Sequence, residues 1–272
     1  MTPRRSALAV AVALVLAAGL AGAAPKPDLW PRWEAHDPAS TVVVDHRAWD
    51  AFLAKYLVTS HPSGVNRVRY EGVKAEDKAA LGRYVASLAA TPVSKLRREE
   101  QKAYWINLYN ALTVKVILDH YPVKSIREIK SGWFSPGPWD LKLVTVEGEQ
   151  LTLNDIEHRI LRPVFRDNRV HFAVNCASIG CPNLQPEAFT AENAEGLLER
   201  GAREYVNHPR GARVEGDQLI LSSIFDWFQV DFGGSEAGVL EHLRAYAEGP
   251  LAGVLQGFRG KVSYEYDWSL NE

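Results

Sequence analysis

The sequence predicts an α+β fold: a single compact domain in which helices and short β-hairpins mix around a small sheet. Three observations predict it. Helical periodicities alternate with hairpin signals, without the regular strand–helix–strand order of a doubly wound α/β sheet. No internal repeat, low-complexity segment or linker divides the 272 residues. The 46% apolar content is enough for a core, whereas two cysteines are too few for a disulfide scaffold, so burial must hold the fold together.

The N-terminal residues set the expected compartment. Arg4 and Arg5 precede an apolar run, Ala7 to Leu20, followed by Ala21-Gly22-Ala23-Ala24-Pro25. This is the pattern of a signal peptide over residues 1–24. The run is too short, and too closely followed by Pro25 and Lys26, for a membrane span. Export to the periplasm or extracellular space is expected, with no stable membrane insertion after cleavage. The globular domain is then 25–272, about 248 residues. Loss of Arg4 and Arg5 takes the formal charge from −2 to −4, which argues against nucleic acid or anionic lipid as the main partner.

Within the domain, a proline-containing entry (Pro25–Pro38) leads to a helix that Asp45 can cap and that runs to Tyr56, burying Trp49, Phe52 and Leu53. Val65–Tyr70 reads as a short strand, Ala75–Ala89 as a helix stopped near Pro92, and Leu96–His120 as the longest helix, ended by Pro122. An aromatic, proline-rich loop spans Gly132–Trp139. Leu141–Val146 and Gln150–Leu153 form a hairpin across Glu147-Gly148-Glu149, and Asn154 opens a helix to Leu161. Val170, Phe172 and Val174 alternate as on a strand. A helix follows near Ala191–Val206, then a hairpin of Ala212–Val214 with Gln218–Leu221. The aromatic turn Phe225–Phe228, a helix over Glu236–Ala247 and a strand at Val262–Tyr266 complete the chain.

Polar groups stand in three places where the apolar pattern expects core. Asn107 and Asn110, three apart in the long helix, share one face of an otherwise apolar segment. Buried amides need partners, so they either bracket a neighbouring loop or orient a histidine or oxyanion. In Leu153–Arg162, the stripe Leu153, Ile156, Ile160 and Val164 leaves Glu157 near its edge and His158 and Arg162 opposite, at about 100° per residue. Asn154 and Glu157 also match a capping box, a purely structural use of the glutamate. The third place is Arg169–Pro182, RVHFAVNCASIGCP, which holds both cysteines. A thiol on a loop just past a regular element is rigidly held yet reachable, and needs a base or an electropositive setting to become thiolate. On a regular strand His171 would lie roughly 16 Å from Cys176 and on the opposite face, which makes His158 the better base.

WINLYNALT, LTLNDIEHRILR and RVHFAVNCASIGCP, in that order and with the later FDWFQVDFGG, resemble the family called domain of unknown function 547, from about Glu99 to Gly249. The resemblance implies that Cys176, rather than Cys181, is the functional thiol, since related sequences allow serine at the latter position. They commonly carry glycine where this chain has Ala177.

Three classes of function are open. The leading one is a thiol enzyme, an amide hydrolase or acyl transferase acting through a Cys176 thioester, with papain-like or transglutaminase-like architecture as one expectation. His158 would be the general base, Glu157, Asn107 or Asn110 would orient the imidazole, and backbone N–H groups of Ala177–Gly180 would form the oxyanion hole. Ser178, Arg162, Trp133 and Trp227 are the candidate substrate-binding residues, for a peptide or other small molecule. The second class is a binding or scaffold protein pinned by a Cys176–Cys181 disulfide. The third is a zinc site, whose ligand spacing fits no standard finger, so neither a cofactor nor a metal is expected. The sequence assigns no oligomeric state.

Overall fold

The computed structural model describes residues 25–132 and 137–272; the expected signal peptide and Trp133 lie outside the described residues. Helix α1 (Arg47–Tyr56) buries Trp49, Phe52 and Leu53, as its periodicity requires, and the Asp45 carboxylate accepts from the Arg47 amide at its entry. The first strands are only two residues each: β1 (Leu57–Val58) pairs antiparallel with β2 (Arg67–Val68). Helix α2 (Ala75–Ala89) occupies its expected span. Helix α3 (Arg98–His120), about 35 Å long, is buried on every side from Ala103 to Val114. An all-round buried helix needs polar side chains to hold its neighbours' backbones, and that is where Asn107 and Asn110 sit.

Strands β3 (Val144–Val146) and β4 (Glu149–Leu151) pair antiparallel across Glu147 and Gly148, whose φ values of 46° and 83° suit a type I′ hairpin turn. Next comes a turn of π-helix, Asp155–Leu161, running straight into α4 (Arg162–Phe165). The expected capping box exists here but is displaced by two residues. Thr152 N donates to Asp155 Oδ2 and Asp155 N donates to Thr152 Oγ1, each at 2.9 Å. Asn154 instead donates to Asp140 Oδ1 at 2.7 Å. Glu157 is therefore not needed at the helix end. The side of this segment that helical spacing marked as polar is also buried: His158 and Arg162 are each 5% exposed.

The largest departure is at Val170–Val174. Instead of a strand, Asn168–Phe172 forms a 3-10 turn. All five residues from Val170 to Val174 are buried, so the alternation there did not separate an inside face from an outside one. Helix α5 (Ala194–Val206) packs so closely on the turn that a Cβ on Gly201 would sit 2.9 Å from the Phe172 carbonyl. His171 therefore sits in a 3-10 turn and not on a strand, and the strand rise and face alternation that set it apart from Cys176 do not apply.

Strands β5 (Ala212–Glu215) and β6 (Gln218–Ser222) form the second hairpin. After α6 (Ser223–Trp227), α7 (Glu236–Tyr246) and an unforeseen α8 (Gly249–Gln256) with Pro250 in its first turn, β7 (Lys261–Glu265) pairs with β6 in parallel. The architecture is α+β, and among the described residues the strands are divided among three small sheets. Apolar residues form one core around α1–α3 and a second around α5–α8 and the β5-β6-β7 sheet. Phe172 belongs to the second and Ala173 to the first, so the 3-10 turn and the cysteine loop lie on the seam. No described helix is long and apolar enough to cross a membrane.

Candidate functional site

The loop between the 3-10 turn and Pro182 is held from three directions. From α3, Asn110 Nδ2 donates to the Ala173 carbonyl at 2.9 Å and its Oδ1 accepts from Asn175 N at 2.8 Å. Within the loop, Asn175 Oδ1 accepts from Ala177 N and Asn175 Nδ2 donates to the Pro182 carbonyl, both at 2.8 Å. From outside, the C-terminal residues run antiparallel to it: Ile179 N donates to Ser269 O, Gly180 N to Asp267 O and Asn271 N to Ala177 O. Gly180 allows this close approach, since a Cβ there would meet the Asp267 carbonyl and the Tyr266 ring at 2.9 Å. Asn107 makes the same kind of clamp one turn away, donating to the Phe189 carbonyl at 2.7 Å and accepting its N–H at 3.0 Å. Both asparagines thus spend their amides on backbone, as brackets. Of the amides from Ala177 to Gly180, three are likewise committed, to Asn175, Ser269 and Asp267.

Ala177 has a φ of 58°, the left-handed region that favours glycine, and is fully buried. Glycine there would relieve roughly 1–2 kcal/mol of backbone strain. It would also forfeit about 0.8 kcal/mol of methyl burial and roughly 0.5–1 kcal/mol of chain entropy. Ala177→Gly should therefore shift stability by less than about 1 kcal/mol, whereas Ala177→Val, β-branched and overpacked, should lose more than about 2 kcal/mol. Urea titration of the two variants reads the difference, and equal losses would show that the backbone at 177 is unstrained.

Cys176 and Cys181 meet at disulfide distance, with Cα atoms 6.3 Å apart. They are unlike in access: Cys176 is partly exposed and Cys181 is 3% exposed. Two hydroxyls face the pair. Tyr266 Oη lies 3.2 Å from each sulfur, and Ser178 Oγ lies 3.3 Å from Cys176 Sγ and donates to Tyr266 Oη at 3.0 Å. Burial raises the Tyr266 phenol well above its ordinary range, so it stays a neutral donor. Trp227 stacks on Trp268 (centroids 5.5 Å apart) and lies 4.8 Å from the Tyr266 ring, which completes an aromatic wall beside the loop.

Behind Tyr266 is a buried polar cluster. Glu157 Oε1 is 4.0 Å from His158 Nδ1 and 3.9 Å from His171 Nδ1, and its charge raises both the Tyr109 and Tyr266 phenols, in each case after the larger effect of burial. Arg162 Nε donates to Asp231 Oδ2 at 2.6 Å, and Arg162 Nη1 donates to the Pro25 carbonyl at 2.6 Å and to His158 Nδ1 at 3.0 Å. A guanidinium has only donors, so His158 Nδ1 is an acceptor there and the neutral ring carries its proton on Nε2. Burial first, with Arg162 and His171 adding and Glu157 and Asp231 opposing, keeps His158 below its ordinary pKa. His171 is held in the same tautomer, with its proton on Nε2. Its Nε2 donates to Asp231 Oδ2 at 2.7 Å, and its buried Nδ1 has no hydrogen-bond partner among the described residues.

The polar contacts of Cys176 are thus to Cys181, Ser178 and Tyr266, and those of His158 are to Arg162 and Glu157. Sequence reasoning passed over Tyr266, Asp231 and the role of His171. Asp231 lies in the FDWFQVDFGG motif, of which the sequence singles out only Trp227 as a candidate; the single carboxylate after Phe228 is the available signal. Tyr266 carries no local pattern at all. Among the described residues, no three His, Cys, Asp or Glu side chains are placed to hold a metal ion.

Residues 93–206 match the family model described as Protein of unknown function, DUF547. The match covers Asn107, Asn110, Glu157, His158, Arg162, His171 and both cysteines, and stops short of Asp231 and Tyr266. No curated protein and no solved structure matches the chain.

Proposed function

We propose that this chain is a cysteine-dependent amide hydrolase or acyl transferase whose nucleophile is Cys176, active when the Cys176–Cys181 pair is reduced. The observation that carries this reading is the asymmetry of the two sulfurs. One is reachable on a loop clamped at both ends, the other is buried beneath it, and two hydroxyls stand against the reachable one. In the reaction Cys176 Sγ forms a bond to the substrate carbonyl carbon, and the tetrahedral oxyanion accepts from Tyr266 and Ser178. The C–N bond then breaks, and the thiol's proton leaves with the amine. Water or another acceptor attacks the thioester carbonyl, the S–C bond breaks, and the acceptor's proton returns to sulfur. The groups suited to hold the proton in transit are Glu157 and the His171 imidazole that Asp231 orients. An exported location and a peptide or small-molecule substrate belong to the same reading, supported by the N-terminal sequence pattern.

A second reading, a structural disulfide in a non-enzymatic binding domain, is favoured by the approach of the two sulfurs. Reduction separates the two. Opening a six-residue loop costs about 2 kcal/mol, and the clamps from Asn110, Asn175 and the C-terminal segment remain, so the reduced protein should stay folded with a modestly lowered melting temperature. Mass-spectrometric alkylation across pH 5 to 9 then reads the thiol. Labelling confined to Cys176, with an apparent pKa well below about 8.5 and slowed in His171→Ala and Glu157→Gln, supports the enzyme. Ordinary thiol reactivity, indifferent to both variants, leaves the structural disulfide.

A further inference from the structure

Beside the cysteine loop is a cavity of about 650 Å³, whose lining includes Gly180, Tyr266, Trp268 and Ser269 together with Lys124 and Arg210. Its size suits a small organic ligand. Tyr266 connects it to the reactive centre, since the ring that lines the cavity carries the hydroxyl lying 3.2 Å from Cys176 Sγ.

The charges of the lining are unequally satisfied. Arg213 is neutralised by Glu215 and Glu265, at 2.7 Å and 2.5 Å. Arg210 is not. Its Nη2 donates to the neutral Asn183 Oδ1 at 2.7 Å and its Nη1 reaches the Ile179 carbonyl at 3.4 Å. Its buried Nε has no partner, and no carboxylate among the described residues lies within 4 Å of the guanidinium. Lys124 likewise has no carboxylate partner at its ammonium among the described residues, and Asp267 is the one lining acid outside an ion pair. Tyr205 lies under the guanidinium, 5.5 Å from it, and fixes its place. A guanidinium held at a cavity wall without a counter-ion, with an aromatic floor beside it, is a site for a planar anion.

We infer that this cavity binds the carboxylate of an organic acid, with Arg210 as its receiving group, so that the acyl substrates of Cys176 are themselves anionic. The second clause rests on the thiol-enzyme reading; the binding site does not. Burial pulls the Arg210 guanidinium below its ordinary range, against the opposing influence of Tyr205, Tyr266 and Glu204, and an anion in the cavity would relieve that penalty.

Glutarate, inorganic phosphate and the neutral glutaramide are the probes, titrated into the reduced full chain and followed by the amide resonances of Gly180 and Ser269. The expected result is saturable glutarate binding that shifts both resonances, exceeds glutaramide at least tenfold and weakens at least tenfold in Arg210→Gln, with Arg210→Lys between. Tighter binding of phosphate than of glutarate would overturn the carboxylate assignment. Equal affinity for glutarate and glutaramide, or undiminished binding in Arg210→Gln, would overturn the site. If Arg210→Gln does not fold, salt decides on the wild-type protein: glutarate binding that weakens with ionic strength upholds the charge recognition, and salt-indifferent binding refutes it. Alkylation of Cys176 by iodoacetamide is read in the same samples. An ordinary, glutarate-insensitive thiol beside intact glutarate binding would reject the enzyme reading and leave the carboxylate site standing.

Discussion

Arg162→Met is expected to destabilise the protein by about 3–5 kcal/mol, the cost of removing one partner from a buried ion pair. The guanidinium side chain is 2% exposed and makes three contacts at once: the Asp231 carboxylate, the His158 ring and the Pro25 carbonyl. Methionine fills much of the same volume over Phe228, so the loss would report charge and hydrogen bonds rather than a cavity. Asp231 is the group left exposed to the change. Burial alone would raise its pKa, but hydrogen bonds from His171 and Arg162 outweigh that and hold the carboxyl below its ordinary value. A lowered carboxyl pKa contributes stability that is present above about pH 4 and is lost as pH falls towards the folded-state value. Urea unfolding of wild type and variant at pH 7 and pH 3 checks both statements. The difference between them should be largest at pH 7 and should shrink at pH 3, and a loss under about 1 kcal/mol at pH 7 would mean that solvent replaces the guanidinium.

Asn110→Ala is expected to cost about 2–4 kcal/mol, because two buried backbone groups, the Ala173 carbonyl and the Asn175 amide, lose the side chain that partners both of them. Asn107→Ala removes a clamp of the same kind at Phe189 and should cost a similar amount. The two differ in what else they release. Asn110 holds the backbone on which Cys176 sits, so its loss should raise amide exchange across 173–181 and slow the selective alkylation of Cys176 in reduced protein. The Asn107 variant should leave both unchanged. If the two variants alter the thiol equally, the clamp acts through global stability and has no special hold on the site.

These two residues also show how far the sequence could be read. Asparagine three apart in an apolar helix signalled buried amides that needed partners, and the structure supplies those partners as backbone brackets. Arg162 signalled the opposite of what it does. At helical spacing it fell opposite the apolar stripe and read as a polar-face residue, yet the N-terminal segment and the Phe228–Asp231 turn close over that face. Spacing reports which residues share a face. It does not report what later packs against that face, because the covering segments come from Pro25 and from Asp231, 137 and 69 residues away along the chain. The capping box failed in a smaller way: two overlapping polar pairs, Asn154/Glu157 and Thr152/Asp155, each satisfied the pattern, and only coordinates could choose between them.

By itself the sequence determined the α+β class, the bounds of α2 and nearly those of α1, α3, α5 and α7, the second hairpin and the place of the cysteine loop, because each is written in local periodicity, turn residues and prolines. It also singled out the segments that carry the family match. Tertiary structure alone decided the 3-10 turn at His171, the parallel pairing of β6 with β7 and the two-residue strands, since each depends on a partner distant in sequence. It alone brought Tyr266 to the two sulfurs, Asp231 to His171 and an unpaired Arg210 to the neighbouring cavity. Side-chain chemistry at these positions is local, but which groups meet is set by how the two cores close on each other, and no periodicity encodes that.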